Sequence, residues 1–126
     1  MIKKIWILLY LSLLFAVGDA HALRVSDNPE NTVRGLDYQY YQGEWKRLPN
    51  FTELRAIESG VVSNFDTKVR LQKDYYGLSF KGFIKVPSDG TYKFFTNSDD
   101  GSELYIGKKK VVDNDGIHSM RERSGQ

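Results

Sequence analysis

The sequence of 126 residues contains no cysteine, three prolines and two histidines. Without cysteine there can be no disulfide, no thiolate metal site and no cysteine nucleophile. His21 lies in a leader-like segment, which leaves His118 for any Ser-His-acid triad, and the Gly-x-Ser-x-Gly elbow is missing. The P-loop and dinucleotide fingerprints are missing as well. These absences favour a protein that is not an enzyme.

A strong net charge is also lacking, because the sequence contains 18 basic and 16 acidic residues and the formal net charge is +2. The basic run at residues 108–110 is soon followed by Asp113 and Asp115. A nucleic-acid-binding surface needs a basic stripe that this composition does not supply. We therefore expect no nucleic-acid partner.

Long hydrophobic runs are missing too, apart from residues 5–17 near the N-terminus. Lys3 and Lys4 precede this run and Ala20-His21-Ala22 follows it, which is the order of a secretory signal peptide. At about 1.5 Å per residue the run cannot cross roughly 30 Å of hydrocarbon. The sequence thus predicts a signal-peptide helix at 1–22, a linker at 23–34 and a domain at 35–126. The mature protein should be secreted, periplasmic or on the cell surface, with no membrane span.

Aromatic residues are abundant, with eight Tyr, seven Phe and two Trp, and they fall in short runs broken by Gly, Pro, Asn and Asp. This composition is typical of an all-β domain. Leu36, Tyr38 and Tyr40 share one parity and predict an opening strand. Residues 48–60 are ambiguous, because Phe51, Leu54 and Ile57 recur at helical spacing; one or two helical turns there would begin at Asn50 and end at Gly60.

Residues 76–96 predict a hairpin. Apolar residues alternate with Lys and Ser over 76–86, residues 87–90 form a turn, and 91–96 return. The inward parity would bury Phe80, Ile84, Tyr92 and Phe94. Two further strands at 103–106 and 110–112 would complete an antiparallel meander.

Oxygen ligands are concentrated between residues 97 and 116. They are the carboxylates of Asp99, Asp100, Glu103, Asp113 and Asp115 and the amides of Asn97 and Asn114. Hard oxygen donors on adjacent loops suit Ca²⁺. The alternative is that Asp-Asp-Gly and Asp-Asn-Asp-Gly are simply turn sequences. An EF-hand loop is excluded, because Val111 stands where that pattern needs an acid.

Three stretches resemble the PA14 domain: YYGLSFKGFIKVPSDGTYKF at 75–94, SDDGSELYI at 98–106 and VVDNDGIH at 111–118. The resemblance extends from about Gly35 to Gln126. It implies an antiparallel β-barrel or sandwich of the kind found in bacterial glycosidases, toxins and adhesins. It also implies closing strands after Gln126, so the domain is expected to be incomplete at its C-terminus.

In PA14 lectins of yeast an aspartate pair joined by a cis peptide holds a Ca²⁺ that binds sugar hydroxyls, and Asp99 and Asp100 match that pair. The resemblance therefore implies calcium as a cofactor. Asn97, Asp113 and Asn114 would complete the metal site if the meander folds them inward, because Ca²⁺ needs six to eight oxygens. Exposed rings offer a second way to bind sugar by stacking, and the candidates are Tyr41, Trp45, Tyr75 and Tyr105.

From this we expect an exported, non-catalytic carbohydrate-binding module of a glycan-degrading or surface protein. Its ligand residues would be Asp99, Asp100 and Tyr105, and its partners a glycan or a glycosidase domain. The alternative is a structural spacer or protein-interaction module without sugar affinity.

Overall fold

The computed structural model describes residue 27 and residues 29–126. The predicted signal-peptide helix at 1–22 and part of the predicted linker, residues 23–26 and 28, lie outside the described residues. Within the described part, none of the helices has both the length and the apolar character that a bilayer crossing requires.

The described chain is almost entirely β, as the composition predicted. It contains β1 (Leu36–Gln42), β2 (Glu58–Val62), β3 (Tyr76–Lys81), β4 (Phe94–Ser98), β5 (Ser102–Ile106), β6 (Lys109–Asn114) and β7 (Arg121–Gly125). Two short 3₁₀-helices, Phe51–Glu53 and Thr67–Val69, interrupt the connections in the first half. The all-β prediction is confirmed.

The first sheet has the order β2-β1-β3, with β1 antiparallel to both neighbours. The predicted opening strand is therefore the central one. Its inward parity carries Tyr38 and Tyr40, which are buried, and the Tyr40 ring stacks on Tyr76 with 6.2 Å between centroids. Phe80 faces the same side and meets Phe65 edge-on at 5.6 Å. The shared parity of Tyr38 and Tyr40 therefore marks one buried face of this sheet, although Tyr41 on the other parity is buried as well.

The other strands of the described chain form two two-stranded antiparallel sheets, β4-β7 and β5-β6. β6 also packs against β7 and β4, so the two sheets share one interior. The fully buried side chains of this interior are those of Val112 and Asn114 on β6. The three described sheets do not close into a barrel.

The predicted hairpin at 76–96 is wrong. β3 pairs with β1 and ends at Lys81, whereas β4 pairs with β7. Residues 82–93 contain no strand, and Ile84, which was predicted to be buried, is 65% exposed. The reason is that β1 and β7 take the pairing edges that the local hairpin would have used, leaving only β5-β6 of the predicted meander as a local hairpin.

The ambiguous segment at 48–60 combines a turn and a strand. Asn50 caps the first 3₁₀-helix by accepting a hydrogen bond from Thr52 N at 3.2 Å, as predicted. Gly60 does not end a helix, because it lies inside β2 opposite Tyr38. Edge pairing with β1 overrides the helical spacing, and Ile57 is consequently 57% exposed.

Candidate functional site

Two loops meet beside the predicted aspartate pair. The acidic turn, residues 98–101, joins β4 to β5, and residues 115–120 join β6 to β7. Asp100 N donates to His118 O at 2.9 Å, and His118 N donates back to Asp100 Oδ1 at 3.2 Å. Asp100 has a φ of 61°, a left-handed conformation that aspartate tolerates better than most residues. These bonds fix the backbone of the acidic turn against the second loop.

A third segment is attached through Asp115. Its Oδ1 accepts from Leu48 N at 2.8 Å and from Gly116 N at 2.7 Å, while Arg47 Nη1 lies 3.5 Å from Oδ2. A Cβ on Gly101 would come within 2.8 Å of that Oδ1, so the acidic turn approaches Asp115 closely where it has no side chain. Asp115, counted in the sequence among possible ligands, here bonds residues 47–48 to its own loop and lies close to the acidic turn.

Asn114 is the fully buried centre of a polar network. Its Nδ2 donates to Ser98 Oγ at 3.1 Å and to Arg121 O at 3.0 Å. Its Oδ1 accepts from Arg121 Nε at 2.7 Å. The amide thereby joins β4, β6 and β7, and a guanidinium stands where a cation would have to approach it. Arg121 was missed from the sequence, because β7 reads RERSG and shows no apolar pattern.

Asp113 and Tyr105 belong to an ion-pair network on the β5-β6 hairpin. Lys110 Nζ bonds Glu103 and lies 2.9 Å from Asp113 Oδ2, and Tyr105 OH donates to Glu103 Oε2 at 2.8 Å. The bonds to Glu103 and then Asp113 raise the pKa of Lys110. Its ammonium in turn lowers the pKa of Asp113, and the bond to Glu103 raises the pKa of Tyr105. The Tyr105 ring remains 49% exposed.

Asp99 and Asn97 are both exposed, Asn97 on β4 opposite Glu122. Apart from its peptide links, Asp99 engages no partner among the described residues, and all their peptide bonds, including that between Asp99 and Asp100, are trans. The same residues contain no group of three or more His, Cys, Asp or Glu placed to hold a metal. The fold presents the aspartate pair at a turn, while Asp113 and Asn114 are bound to other partners.

The expected exposed aromatics divide into two groups. Tyr41 is buried at 3% exposure and packs on Phe51 with 4.8 Å between ring centroids, so the expectation that it is exposed is wrong. Trp45 is half-buried beside Gly43. Tyr75 is 63% exposed, and it joins Tyr105 as a ring available to a ligand.

The fold and this loop cluster define an all-β module of short antiparallel strands with an acidic turn at one end. The PA14 domain model matches residues 34–126, and the chain belongs to the PA14 domain family. This confirms the resemblance seen in the sequence. PA14 domains are modules of the carbohydrate-binding and adhesin type and are in general not catalytic. Comparison with curated proteins and with solved structures gives no match.

Proposed function

We propose that this chain is an exported, non-catalytic module that binds carbohydrate for a larger glycan-degrading or surface protein. The observation that carries the proposal is the PA14 match over residues 34–126, within which the acidic turn presents two adjacent carboxylates. Supporting it, Asp100 Oδ1 accepts from His118 N and both ring nitrogens of His118 bond backbone carbonyls, so these two side chains do not form a nucleophile-base pair.

Calcium is proposed as the metal of this site. Asp99 and Asp100 Oδ2 are free to act as ligands, and Asn97 precedes Asp99 by two residues. Asp113 would have to leave Lys110, and Asn114 would have to leave Arg121, so the proposal does not use them. Bound Ca²⁺ would supply a Lewis acid for pairs of sugar hydroxyls. Three protein ligands leave half of a Ca²⁺ shell to water and sugar, so we expect an affinity of roughly 10⁻⁴ to 10⁻³ M.

Calorimetric titration with CaCl₂ tests the metal site directly. The double variant Asp99→Ala with Asp100→Ala should lose calcium binding, and Asp89→Ala should keep it, because Asp89 is an exposed turn aspartate elsewhere in the chain. Mannotriose, maltotriose and cellotriose added with and without calcium then test the ligand class. Absence of sugar binding in both conditions would contradict the proposed function.

A spacer or protein-interaction module is the second candidate, and one observation favours it. Residues 82–93 form no strand and expose Phe83, Ile84 and Val86 at 67%, 65% and 42%. Exposed apolar side chains that cluster along one segment are typical of a contact surface. Concentration-dependent association without any sugar binding would select this role over the first.

A further inference from the structure

The sequence contains no Asn-Gly pair and three Asp-Gly pairs, at 89–90, 100–101 and 115–116. At an Asp-Gly pair the glycine nitrogen can attack the carboxyl carbon of the aspartate side chain, because glycine has no Cβ that would shield its amide. The attack requires that the side chain and the peptide backbone both rotate. The fold restrains these reacting groups to different degrees at the three pairs.

The Asp115-Gly116 pair is restrained at both reacting groups. Gly116 N donates to Asp115 Oδ1 at 2.7 Å, so the nitrogen directs its proton at an oxygen instead of its electron pair at the carbon. The same oxygen accepts from Leu48 N at 2.8 Å, and Arg47 Nη1 lies 3.5 Å from the other oxygen. Rotation of the carboxyl group would break these bonds, so this pair should be stable in the folded protein.

The Asp100-Gly101 pair is restrained by the neighbouring loop. Asp100 N donates to His118 O at 2.9 Å, and Asp100 Oδ1 accepts from His118 N at 3.2 Å. Gly101 lies against Asp115, since a Cβ on Gly101 would come within 2.8 Å of Asp115 Oδ1. Rotation about this link would break both bonds to His118 and move the turn into Asp115. This pair should be stable as well.

The Asp89-Gly90 pair has no such restraint. Each residue from 81 to 91 is exposed, and residues 82–93 contain no strand. Neither the Asp89 carboxylate nor Gly90 N bonds another described residue, and nothing lies within 4 Å of the position that a Cβ on Gly90 would take. The link can rotate without losing a contact, which is the property of segments with low local stability.

Hydrogen bonds on either side of this link leave its reacting atoms free. Tyr92 OH donates to Ser88 O at 2.6 Å and accepts from Ser88 N at 3.4 Å. Residues 88–92 therefore form a closed tip, with Asp89 and Gly90 between the tied ends. The tie involves neither the side chain of Asp89 nor the amide of Gly90.

We propose that Asp89 is a site of spontaneous isoaspartate formation, and that the fold suppresses the same reaction at Asp100 and Asp115. Gly90 N attacks Cγ of the protonated Asp89 carboxyl; an N–Cγ bond forms, and the carboxyl OH leaves with the amide proton as water. Water then adds to the backbone carbonyl carbon of Asp89 in the resulting ring, and the bond from that carbon to Gly90 N breaks. The chain now passes through the Asp89 side chain, and water is the only co-reactant.

The product has a defined chemistry. The backbone of the tip gains one methylene group, and the former backbone carbonyl of Asp89 becomes a free α-carboxylate. Enzymes that transfer a methyl group from S-adenosylmethionine to isoaspartate esterify this carboxylate, so the aged chain would be a substrate for that class of enzyme. The change lies in the segment that exposes Phe83, Ile84 and Val86, so it would alter the shape of this apolar surface as the protein ages.

The test is ageing of the purified chain in neutral buffer with EDTA and heavy-oxygen water, without sugar. Trypsin cuts after Lys and Arg and leaves the three pairs in separate peptides, residues 86–93, 94–108 and 111–121. Electron-transfer mass spectrometry identifies isoaspartate, and an isoaspartyl methyltransferase with S-adenosylmethionine measures its amount. Peptide 86–93 should gain isoaspartate and heavy oxygen about tenfold or more faster than the other two peptides, which must wait for local unfolding.

Variants at the tip identify the reacting atoms. Gly90→Ala should slow the reaction about tenfold or more, because its methyl group shields the nitrogen and meets no other atom within 4 Å. Asp89→Glu should stop it, because the longer side chain closes its larger ring much more slowly. Thr91→Ala is the matched control: it changes an exposed neighbour and none of the reacting atoms, so its rate should stay within about twofold of wild type.

Unfolding the wild-type chain in guanidinium chloride should allow all three pairs to react. Equal amounts of isoaspartate in the three peptides of the folded chain would overturn the proposal, since the fold would then select no site. An unmodified peptide 86–93 from the folded chain, with isoaspartate there after unfolding, would also overturn it, because the tip would then be restrained. Unchanged isoaspartate in Gly90→Ala would show that Gly90 N is not the attacking atom. A folded amide NMR spectrum of each variant excludes unfolding as the cause.

Discussion

The two halves of this domain are held together in different ways. In the first sheet, residues 36–81, buried tyrosine rings from β1 pack against Tyr76, Leu78 and Phe80. In the second half, residues 94–125, the fully buried side chains are Val112 and Asn114, and the Asn114 amide bonds Ser98 and Arg121. The aromatic half depends on area removed from water, and the polar half depends on the buried Asn114 amide keeping its hydrogen-bond partners.

The largest expected effect is in the aromatic half. Tyr40→Ala removes a fully buried ring, so we expect unfolding to cost about 3–5 kcal/mol less, measured by urea denaturation. The Tyr40 hydroxyl is buried with no hydrogen-bond partner among the described residues, so Tyr40→Phe should match or exceed wild-type stability. Equal destabilisation by both changes would show that the hydroxyl, and not ring burial, supports this sheet.

The polar half should respond next most strongly, at its centre. The Asn114→Ala variant leaves Arg121 Nε and the Arg121 carbonyl without the hydrogen bonds that Asn114 makes to them. Since each buried unpaired group costs about 1–3 kcal/mol, we expect the free energy of unfolding to fall by about 3 kcal/mol. Asn97→Ala, an exposed asparagine on β4, is the control and should stay within about 0.5 kcal/mol. If the two alanine variants unfold at the same urea concentration, the network does not stabilise this half.

The contact of β7 with β6 gives a third, smaller expectation. A Cβ at Gly125 would fall 1.5 Å from Val111 O, so Gly125→Ala must push the two strands apart. We expect the free energy of unfolding to fall by about 1–3 kcal/mol, the usual cost of overpacking, and the melting temperature to fall with it. Gly90→Ala is the matched control, because nothing lies within 4 Å of its added methyl group. An unchanged melting temperature for Gly125→Ala would mean that β7 packs less tightly on β6 than this.

The smallest effect concerns pH and the exposed ion pair on the β5-β6 hairpin. Lys110 lowers the pKa of Asp113 below its unfolded value, so the pair contributes stability above that value, about 3.9, and loses it as pH falls through the folded pKa. Asp113→Asn should flatten the decline in melting temperature below about pH 4, and added salt should do the same. Asp89→Asn should leave the decline in melting temperature unchanged. If it flattens the decline as much as Asp113→Asn does, the pH dependence comes from the net charge of the protein and not from this ion pair.

Sequence pattern alone determined the all-β class, the opening strand with Tyr38 and Tyr40 on one parity, the Asn50 cap and the PA14 family. Each of these depends on residues close in the chain, where alternation, capping and turn chemistry act directly. Pattern also located the aspartate pair, because two adjacent acids in a turn are visible without any fold.

Only the tertiary structure decided which strands pair and which polar residues are structural. β3 pairs with β1 across more than thirty intervening residues. β7 contains no apolar residue from which a strand could be predicted. Asn114 resembles a calcium ligand in the sequence, yet Arg121 and Ser98 occupy its amide in the fold. Which distant strands pair depends on competition between strands for the same sheet edge and on how much of each sheet face becomes buried. Neither can be seen in a local sequence pattern.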